Sequence, residues 1–154
     1  MKVVNLSRRR FMQSSAVLVV GAGLPLGLTN SITKAGVFRP SVYLALGDDG
    51  AVLITAHRSE MGQGIRTALT QIIADELDAD WSRVKVQQAT GDKIYGDQNT
   101  DGSQSIRLFY DVLRHAGGSA RRMLVEAAAA QWGVETSDCK TENHRVHNIR
   151  SGEV

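Results

Sequence analysis

Two short stretches near residue 45 alternate between apolar residues and polar or small ones, which is typical of strands with one buried face. The apolar positions of the first stretch are Val42, Leu44 and Leu46, and those of the second are Val52, Ile54 and Ala56. Residues 47–50 between them read Gly-Asp-Asp-Gly, a composition that favours a tight turn. The pattern therefore predicts a β-hairpin.

The apolar spacing changes from two to three or four at Ile65, which predicts an amphipathic helix of about thirteen residues. Its apolar positions are Ile65, Leu69, Ile72, Ile73 and Leu77. After a polar connection, Val84 and Val86 alternate with polar residues and predict a third strand. We expect the helix to lie across a sheet that includes this strand.

A second apolar stripe at helical spacing starts at Ile106 and predicts a long helix, which Gly133 ends. Ser105 can cap the amino end of this helix, because a serine hydroxyl accepts a hydrogen bond from a first-turn amide. The pair Gly117-Gly118 predicts a bend or a point of close packing. Together the elements indicate one α+β domain, with a small mixed sheet and two helices packed on one face.

The most informative stretch is residues 58–64, Arg-Ser-Glu-Met-Gly-Gln-Gly, which we call the glutamine loop. It lies where the second strand pattern stops and the first helix pattern begins. Gly62 and Gly64 allow a ligand to approach the main chain closely, and the amide of Gln63 can hold an oxygen or a polar heterocycle. The first amides of the following helix favour an anionic ligand. The alternative is an ordinary glycine-rich turn between a strand and a helix.

A second candidate stretch lies in the aperiodic segment from Thr90 to Ser105, which is long for a connection inside a compact domain. Residues 100–105 read Thr-Asp-Gly-Ser-Gln-Ser, and we call them the serine loop. Like the glutamine loop, they place glycine, hydroxyl and amide groups before a helix. If both helices start from the same edge of the sheet, the two loops face one polyanionic ligand. The alternative is two independent helix caps.

Charge and cysteine content exclude several classes of function. The formal net charge is +2, but five of the 18 basic residues and none of the 16 acidic residues precede Gly36, so the remainder carries 13 basic against 16 acidic residues, a net charge of −3. We therefore expect no nucleic-acid partner. Cys139 is the only cysteine in the sequence, which excludes an internal disulfide and a cysteine-ligated metal cluster.

Residues 1–35 have the composition of a targeting segment rather than of a folded domain. Residues 7–13, Ser-Arg-Arg-Arg-Phe-Met-Gln, precede an apolar run at residues 16–28 that is too short to span a membrane. The arginine pair before Phe and Met resembles the twin-arginine signal, which predicts export to the periplasm by the twin-arginine machinery. The alternatives are a basic amphipathic leader or a short anchor. Residues 36–154 then form the folded domain.

Two histidine groupings are weaker candidates for chemistry. His144 and His147 are three apart, so on a strand they face opposite sides, and we do not expect them to bind a metal ion. His57 and Glu60 could form an acid–base pair, but nothing in the sequence orients them and no nucleophile lies nearby. We therefore expect a solvated or strand-end pair, and we predict no catalytic residue and no metal ligand in this chain.

The combination of motifs is more specific than any one of them. The glutamine loop, the helix after it, the strand at residues 84–86 and the serine loop together resemble the molybdopterin-binding large subunit of the xanthine dehydrogenase and aldehyde oxidase family. The nearest type is the isoquinoline 1-oxidoreductase β subunit, which similarly opens with a twin-arginine leader and contains the segment E-M-G-Q-G. The resemblance covers nearly all of the chain after about Pro40.

The resemblance implies a molybdenum–molybdopterin cofactor, for which the cytosine dinucleotide form is one alternative. It implies oxidation of a small aromatic N-heterocycle or an aldehyde, with electrons passing to iron–sulfur clusters on a small partner subunit. The residues that match the family's two cofactor-contacting loops are Met61, Gly62, Gln63, Gly64, Gly102, Ser103, Gln104 and Ser105.

The sequence departs from the family pattern at two points. Asp101 stands where the family usually has a small residue, and its carboxylate would repel an anionic cofactor unless it points away. The glutamate that serves as the family's base belongs to a later motif, which has no counterpart here. We therefore expect the N-terminal part of a longer large subunit, inactive by itself. The competing class is an exported, non-catalytic α+β binding or scaffold module.

Overall fold

A computed structural model describes residues 36–154, and the predicted twin-arginine segment lies outside this range. Two α-helices and six strands occupy the described residues. In chain order they are β1 Val37–Ser41, β2 Leu44–Gly47, β3 Val52–Ala56, α1 Ile65–Leu77, β4 Val84–Gln88, α2 Ser105–Trp132, β5 Cys139–Glu142 and β6 Arg145–Asn148.

The main sheet has four strands in the order β1-β2-β3-β4. The pairs β1–β2 and β2–β3 are antiparallel, whereas β3 and β4 run parallel, with Val52 opposite Val84. The parallel pair requires a crossover connection, which α1 supplies. These elements confirm the predicted mixed sheet, the hairpin and the third strand. The first hairpin strand begins at Leu44 rather than Val42, since Val42 lies in the preceding turn and is 44% exposed.

The core lies between the sheet and the two helices. Leu44, Val52 and Ile54 from the sheet are almost fully buried, as are Leu69 and Ile73 of α1. These residues belong to one hydrophobic cluster, which Leu113 and Ala120 of α2 complete. The apolar periodicity of both helices is therefore explained by this shared core, and the predicted α+β class is confirmed.

Gly117 is the point of close packing between the helices. A Cβ atom on Gly117 would lie 2.5 Å from the carbonyl oxygen of Ile73 and 2.9 Å from the Cβ atom of Glu76. Only a residue without a side chain allows the backbone of α2 to come this near α1. Of the two alternatives for the glycine pair, close packing is therefore the one that the structure supports.

The end of the described chain forms a separate hairpin, β5–β6, whose turn contains Asn143 and His144. This turn rests on the rest of the domain, because the His144 amide donates to the Asp78 carbonyl at 2.7 Å. The His144 ring also lies 2.9 Å from the carbonyl oxygen of Gly50. Within residues 36–154, no group of three or more potential metal ligands is assembled. In that same range, neither helix has the length and apolar character needed to cross a membrane.

Candidate functional site

Sheet topology brings the glutamine loop and the serine loop to the same edge of the sheet. The glutamine loop follows β3, and the segment that contains the serine loop follows β4. Because β3 and β4 are parallel, their carboxyl ends lie side by side, which is where open sheets with parallel strands present their ligand sites. Both segments lead directly into helices, so both helix amino ends also lie at this edge.

Hydrogen bonds connect the two segments directly. The amide of Ser59 donates to the hydroxyl oxygen of Thr100 at 2.8 Å, and that hydroxyl donates to the carbonyl oxygen of Ser59 at 3.1 Å. Nearby, the guanidinium of Arg58 donates to the carboxylate of Asp97 at 3.3 Å. The side-chain amide of Gln88, at the end of β4, donates to the carbonyl oxygen of Arg58 at 3.2 Å. The two loops are therefore neighbours.

The glutamine loop presents its backbone to solvent. Residues 61–64 are all exposed, and the Met61 side chain is 69% exposed. Gly62 and Gly64 have φ angles of 96° and 81°, in the left-handed region that favours glycine. A Cβ atom at either glycine would meet nothing within 4 Å. The surface beside these glycines is therefore open to a ligand.

Side chains of the glutamine loop already engage many of its backbone groups. Gln63 folds back, accepting from the Met61 amide at 2.6 Å and donating to the Ser59 carbonyl at 3.0 Å. The Glu60 carboxylate accepts from the amide of Gly62 at 2.7 Å. It also accepts, at 3.0 Å each, from the amides of Gly64 and Arg66 at the start of α1.

The bonds to Glu60 reveal the electrostatic character of the loop. Hydrogen bonds from the backbone N–H groups of Arg66 and then Gly64 hold the pKa of the Glu60 carboxyl below its ordinary value. The amino end of α1 therefore stabilises a negative charge, as its unpaired amides and dipole predict. In this structure the charge comes from the loop's own carboxylate.

The serine loop is exposed at its tip and buried at its end. Gly102 and Ser103 are exposed and have positive φ angles of 51° and 54°. Gln104 is half-buried, and Ser105 is 7% exposed in the first turn of α2. The expectation that Ser105 caps α2 is wrong, because Ser105 is the first residue of the helix itself and Gln104 occupies the cap position without a side-chain hydrogen bond.

Seven of the eight site residues predicted from the sequence thus lie on or near the surface at one edge of the sheet: Met61, Gly62, Gln63, Gly64, Gly102, Ser103 and Gln104. Ser105 is the exception, since it is buried in the first turn of α2. The departure from the family pattern, Asp101, is exposed, and its carbonyl oxygen accepts from the Gln104 amide at 3.1 Å.

Sequence reasoning did not predict the burial of two polar residues at this edge, His57 and Arg58, which are 1% and 0% exposed. The ring centroid of His57 lies 4.2 Å from that of Phe109 and 5.1 Å from that of Tyr43. Burial, followed by the nearby Arg58 charge, lowers the pKa of His57 from 6.5 to about 4, so the ring is neutral at pH 7. Of the expected solvated or strand-end pair with Glu60, the solvated alternative is therefore wrong for His57, which is buried directly after the end of β3.

The burial of Arg58 is less expected than that of His57, because the guanidinium of arginine is always charged. Its guanidinium carbon lies 4.9 Å from the centroid of the Phe109 ring. One signal in the sequence could have indicated its burial: the period-two alternation of Val52, Ile54 and Ala56 continues to position 58.

Three features of this edge bear on a polar, anionic ligand. The glutamine loop leaves open space at both glycines, and the backbone amides of Gly62, Gly64 and Arg66 favour a negative charge, which the loop's own Glu60 carboxylate supplies in this structure. The buried Arg58 at the start of the glutamine loop adds a positive charge, and its guanidinium contacts Asp97, three residues before the serine loop. The residues present therefore fit a phosphate-bearing pterin cofactor, with exposed glycine backbone for close contact, a helix amino end that favours negative charge and the buried guanidinium of Arg58 nearby.

Comparison with known proteins identifies the family of the chain. A family model described as a molybdopterin cofactor-binding domain matches residues 4–153. The beta chain of isoquinoline 1-oxidoreductase from Brevundimonas diminuta is 37% identical over 163 aligned positions, which cover 97% of this chain and 21% of that protein. Membrane-bound aldehyde dehydrogenase (pyrroloquinoline-quinone) of Gluconacetobacter polyoxogenes is 36% identical over 147 positions, which cover 88% of this chain and 18% of that protein.

A more distant relative is the large subunit of nicotine 6-hydroxylase from Paenarthrobacter nicotinovorans, 27% identical over 114 positions that cover 74% of this chain and 14% of that protein. The chain thus spans about a fifth, or less, of the length of these curated relatives. The family model matches almost the whole chain, and two relatives are more than 35% identical to it. Both findings assign the chain to the same family. The chain belongs to the molybdopterin cofactor-binding domain family of molybdenum hydroxylase-type large subunits.

Proposed function

We propose that the glutamine loop and the serine loop hold a molybdenum–molybdopterin cofactor at the carboxyl edge of β3 and β4. The observation that supports this most is the pair of hydrogen bonds between Ser59 and Thr100, since they join two glycine-containing loops beside two helix amino ends. One extended anionic cofactor can touch both loops only if they are neighbours.

Each loop has a distinct role in this proposal. Gly62 and Gly64 let the pterin and phosphate side of the cofactor approach the backbone, because nothing lies within 4 Å of their Cβ positions. Gln63 keeps that backbone in shape through its bonds to Met61 and Ser59. Residues 102–104 contact the cofactor from the serine loop, and buried Ser105 supports them from beneath.

The bound cofactor supplies the redox chemistry, which is the oxidation of a substrate carbon with oxygen taken from water. The names of the relatives support an N-heterocycle or an aldehyde as the substrate class. Two of those names denote subunits, which supports a partner subunit, and we propose a small one that carries iron–sulfur clusters. We also propose export to the periplasm by the twin-arginine route, with the signal within residues 1–35.

We further propose that this chain alone has no turnover. The base that the family uses belongs to a motif without a counterpart in these 154 residues. The chain would therefore supply part of the cofactor-binding site of a longer large subunit. The cytosine dinucleotide form is one alternative for the cofactor that this site would bind.

The test is a titration of the purified chain with molybdopterin, followed by pterin fluorescence, together with molybdenum analysis of protein isolated from a molybdate-supplied host. We expect the chain to bind the pterin and Gln63→Ala to weaken binding by about tenfold, the effect of losing the two hydrogen bonds that shape the loop. Gln71→Ala is the matched control, because Gln71 is exposed on α1, about two helical turns beyond the glutamine loop. Absence of pterin binding, or equal losses in the two variants, would contradict the proposal.

A second candidate function has a specific observation in its favour. Glu60 and Gln63 already accept hydrogen bonds from the loop amides, as they would if the loops only capped helices. In that case the chain is an exported, non-catalytic α+β binding or scaffold module. The titration separates the two functions, because a capping role predicts that Gln63→Ala lowers the free energy of unfolding while no form of the chain binds molybdopterin.

A further inference from the structure

Arg58, the first residue of the glutamine loop, is a permanently charged side chain with no exposed surface. Its Nη2 atom lies 3.3 Å from Oδ2 of Asp97, whose side chain is 51% exposed. Within the described part of the chain, Nε and Nη1 of Arg58 have no hydrogen-bond partner. Burying a cation with so few partners is costly, so local stability alone does not account for an arginine at this position.

The contacts of Arg58 span three elements that converge at the site. Its backbone begins the glutamine loop and accepts, through the carbonyl oxygen, from Gln88 at the end of β4. Its guanidinium stacks 4.9 Å from the ring centroid of Phe109 in α2. The same guanidinium holds Asp97, three residues before the serine loop. The Arg58 side chain therefore connects the glutamine loop to the segment before the serine loop and to α2.

Asp97 transmits this restraint to the serine loop. Its Oδ1 atom accepts from the backbone amide of Asn99 at 2.9 Å, while Oδ2 accepts from Arg58. The next residue, Thr100, exchanges its two hydrogen bonds with Ser59. The aperiodic segment between β4 and α2 has few apolar anchors, so its ordering depends on such polar connections.

Arginine suits this position better than lysine would. The planar guanidinium can stack on Phe109 and direct an N–H group in its own plane at Asp97. An ammonium group is a point charge that can make the ion pair without the stack. The geometry requires both contacts at once, since they lie on different elements.

We infer that Arg58 is a positioning residue that fixes the serine loop against the glutamine loop, and so sets the spacing of the cofactor-binding edge. The effect of this positioning on cofactor affinity rests on the proposed function. The restraint between the loops is itself a property of the chain without cofactor.

Amide hydrogen exchange of the 154-residue chain tests the restraint directly. In Arg58→Met we expect the amides of Ser59 and Asn99 to exchange about tenfold faster, relative to the amide of Ile54 in β3, because a charge-assisted hydrogen bond between the segments is lost. Arg58→Lys should recover part of the protection. If Arg58→Met proves too unstable, Asp97→Asn removes the same ion pair at a partly exposed side chain and should give the same selective change.

Arg114→Met is the matched control. Arg114 also pairs with a carboxylate, that of Glu76, and its guanidinium carbon lies 5.5 Å from the centroid of an aromatic ring, that of Tyr110. It joins α2 to α1 rather than loop to loop, so its loss should leave the exchange of Ser59 and Asn99 unchanged relative to Ile54. Unchanged relative exchange in both Arg58→Met and Asp97→Asn would overturn the inference.

A titration with molybdopterin separates positioning from general stability. We expect Asp97→Asn to weaken pterin binding about threefold or more, while its free energy of unfolding falls no further than that of Arg114→Met. Equal pterin affinities of the two variants would overturn the role in spacing the site. If the unsubstituted chain binds no pterin, the proposed function fails, and the exchange rates still decide whether Arg58 restrains the loops.

Discussion

Adjacent glycines in α2 should respond to alanine substitution with opposite signs. Gly117 is buried against α1, and a Cβ atom there would lie 2.5 Å from the carbonyl oxygen of Ile73. Gly118 is half-buried, and its Cβ atom would meet only the carboxylate oxygen Oε2 of Glu76, at an ordinary 3.7 Å. Both residues lie inside the helix, so alanine removes backbone freedom from the unfolded chain equally in the two variants.

The higher helix propensity of alanine favours it over glycine by about 0.5–1 kcal/mol at either position. At Gly118 nothing opposes it, so Gly118→Ala should raise the free energy of unfolding by about that amount. At Gly117 the new methyl group overlaps the backbone of α1, and overpacking of this kind costs about 1–3 kcal/mol. Because the overlapped atom is backbone rather than the end of a flexible side chain, we take the upper part of that range. Gly117→Ala should then lower the free energy of unfolding by about 2 kcal/mol.

Urea unfolding followed by circular dichroism at the helix band measures both changes. We expect the two midpoints to move in opposite directions at equal m-values, with the variants separated by roughly 2–3 kcal/mol. Each glycine is the other's control for helix propensity. A Gly117→Ala protein at least as stable as the unsubstituted chain would refute the inferred distance between the helices.

Three further predictions concern the site. The pKa of His57 falls from 6.5 in the unfolded chain to about 4 in the folded one, so between pH 6.5 and pH 4 only the unfolded chain binds a proton at this residue. The free energy of unfolding should therefore fall by up to ~3 kcal/mol as the pH drops from 6.5 to 4. His57→Leu should flatten that part of the urea-derived profile, and an unaltered slope would contradict the burial. Glu60→Ala should speed amide exchange at Gly64 and Arg66, measured by NMR, whereas unchanged rates would show that the carboxylate does not hold these amides. Asp101→Asn should tighten molybdopterin binding by about threefold at low salt and have no effect at about 1 M salt, because an exposed like charge is screened; a difference that persists at high salt would rule out simple repulsion.

Apolar periodicity alone predicted most of the helices and strands, because the buried face of each one appears as a local pattern of apolar residues. The spacing of Ile65, Leu69 and Ile73 indicated α1, whose buried face these residues form. The strand β1 escaped prediction, since Pro40 interrupts a segment without clear alternation. Its pairing with β2 at the edge of the sheet is where a proline is tolerated, and only the tertiary structure reveals that partner.

The sequence indicated the residues of the two candidate loops but not how the loops are arranged. Glycine and helix-start signals identified both loops, yet their proximity depends on the parallel pairing of β3 and β4, a contact between distant parts of the sequence. The burial of Arg58 depends likewise on Phe109, which lies 51 residues further along and closes over it from α2. Charged residues are seldom fully buried, so the alternation of apolar residues up to Ala56 did not by itself predict a buried arginine at position 58.

The internal hydrogen bonds of the glutamine loop and a role in cofactor binding are compatible, because they use different sides of the same backbone. Gln63 accepts from an amide of the loop, and Glu60 accepts from amides of the loop and of the first turn of α1, so the two side chains hold the loop in one conformation before any ligand arrives. The Cβ directions of Gly62 and Gly64 nevertheless stay open. A loop ordered in advance loses less conformational entropy on binding than a loop that must fold around its ligand. The same self-capping that makes the loop resemble an ordinary helix start therefore also makes it a better platform for a rigid, planar cofactor.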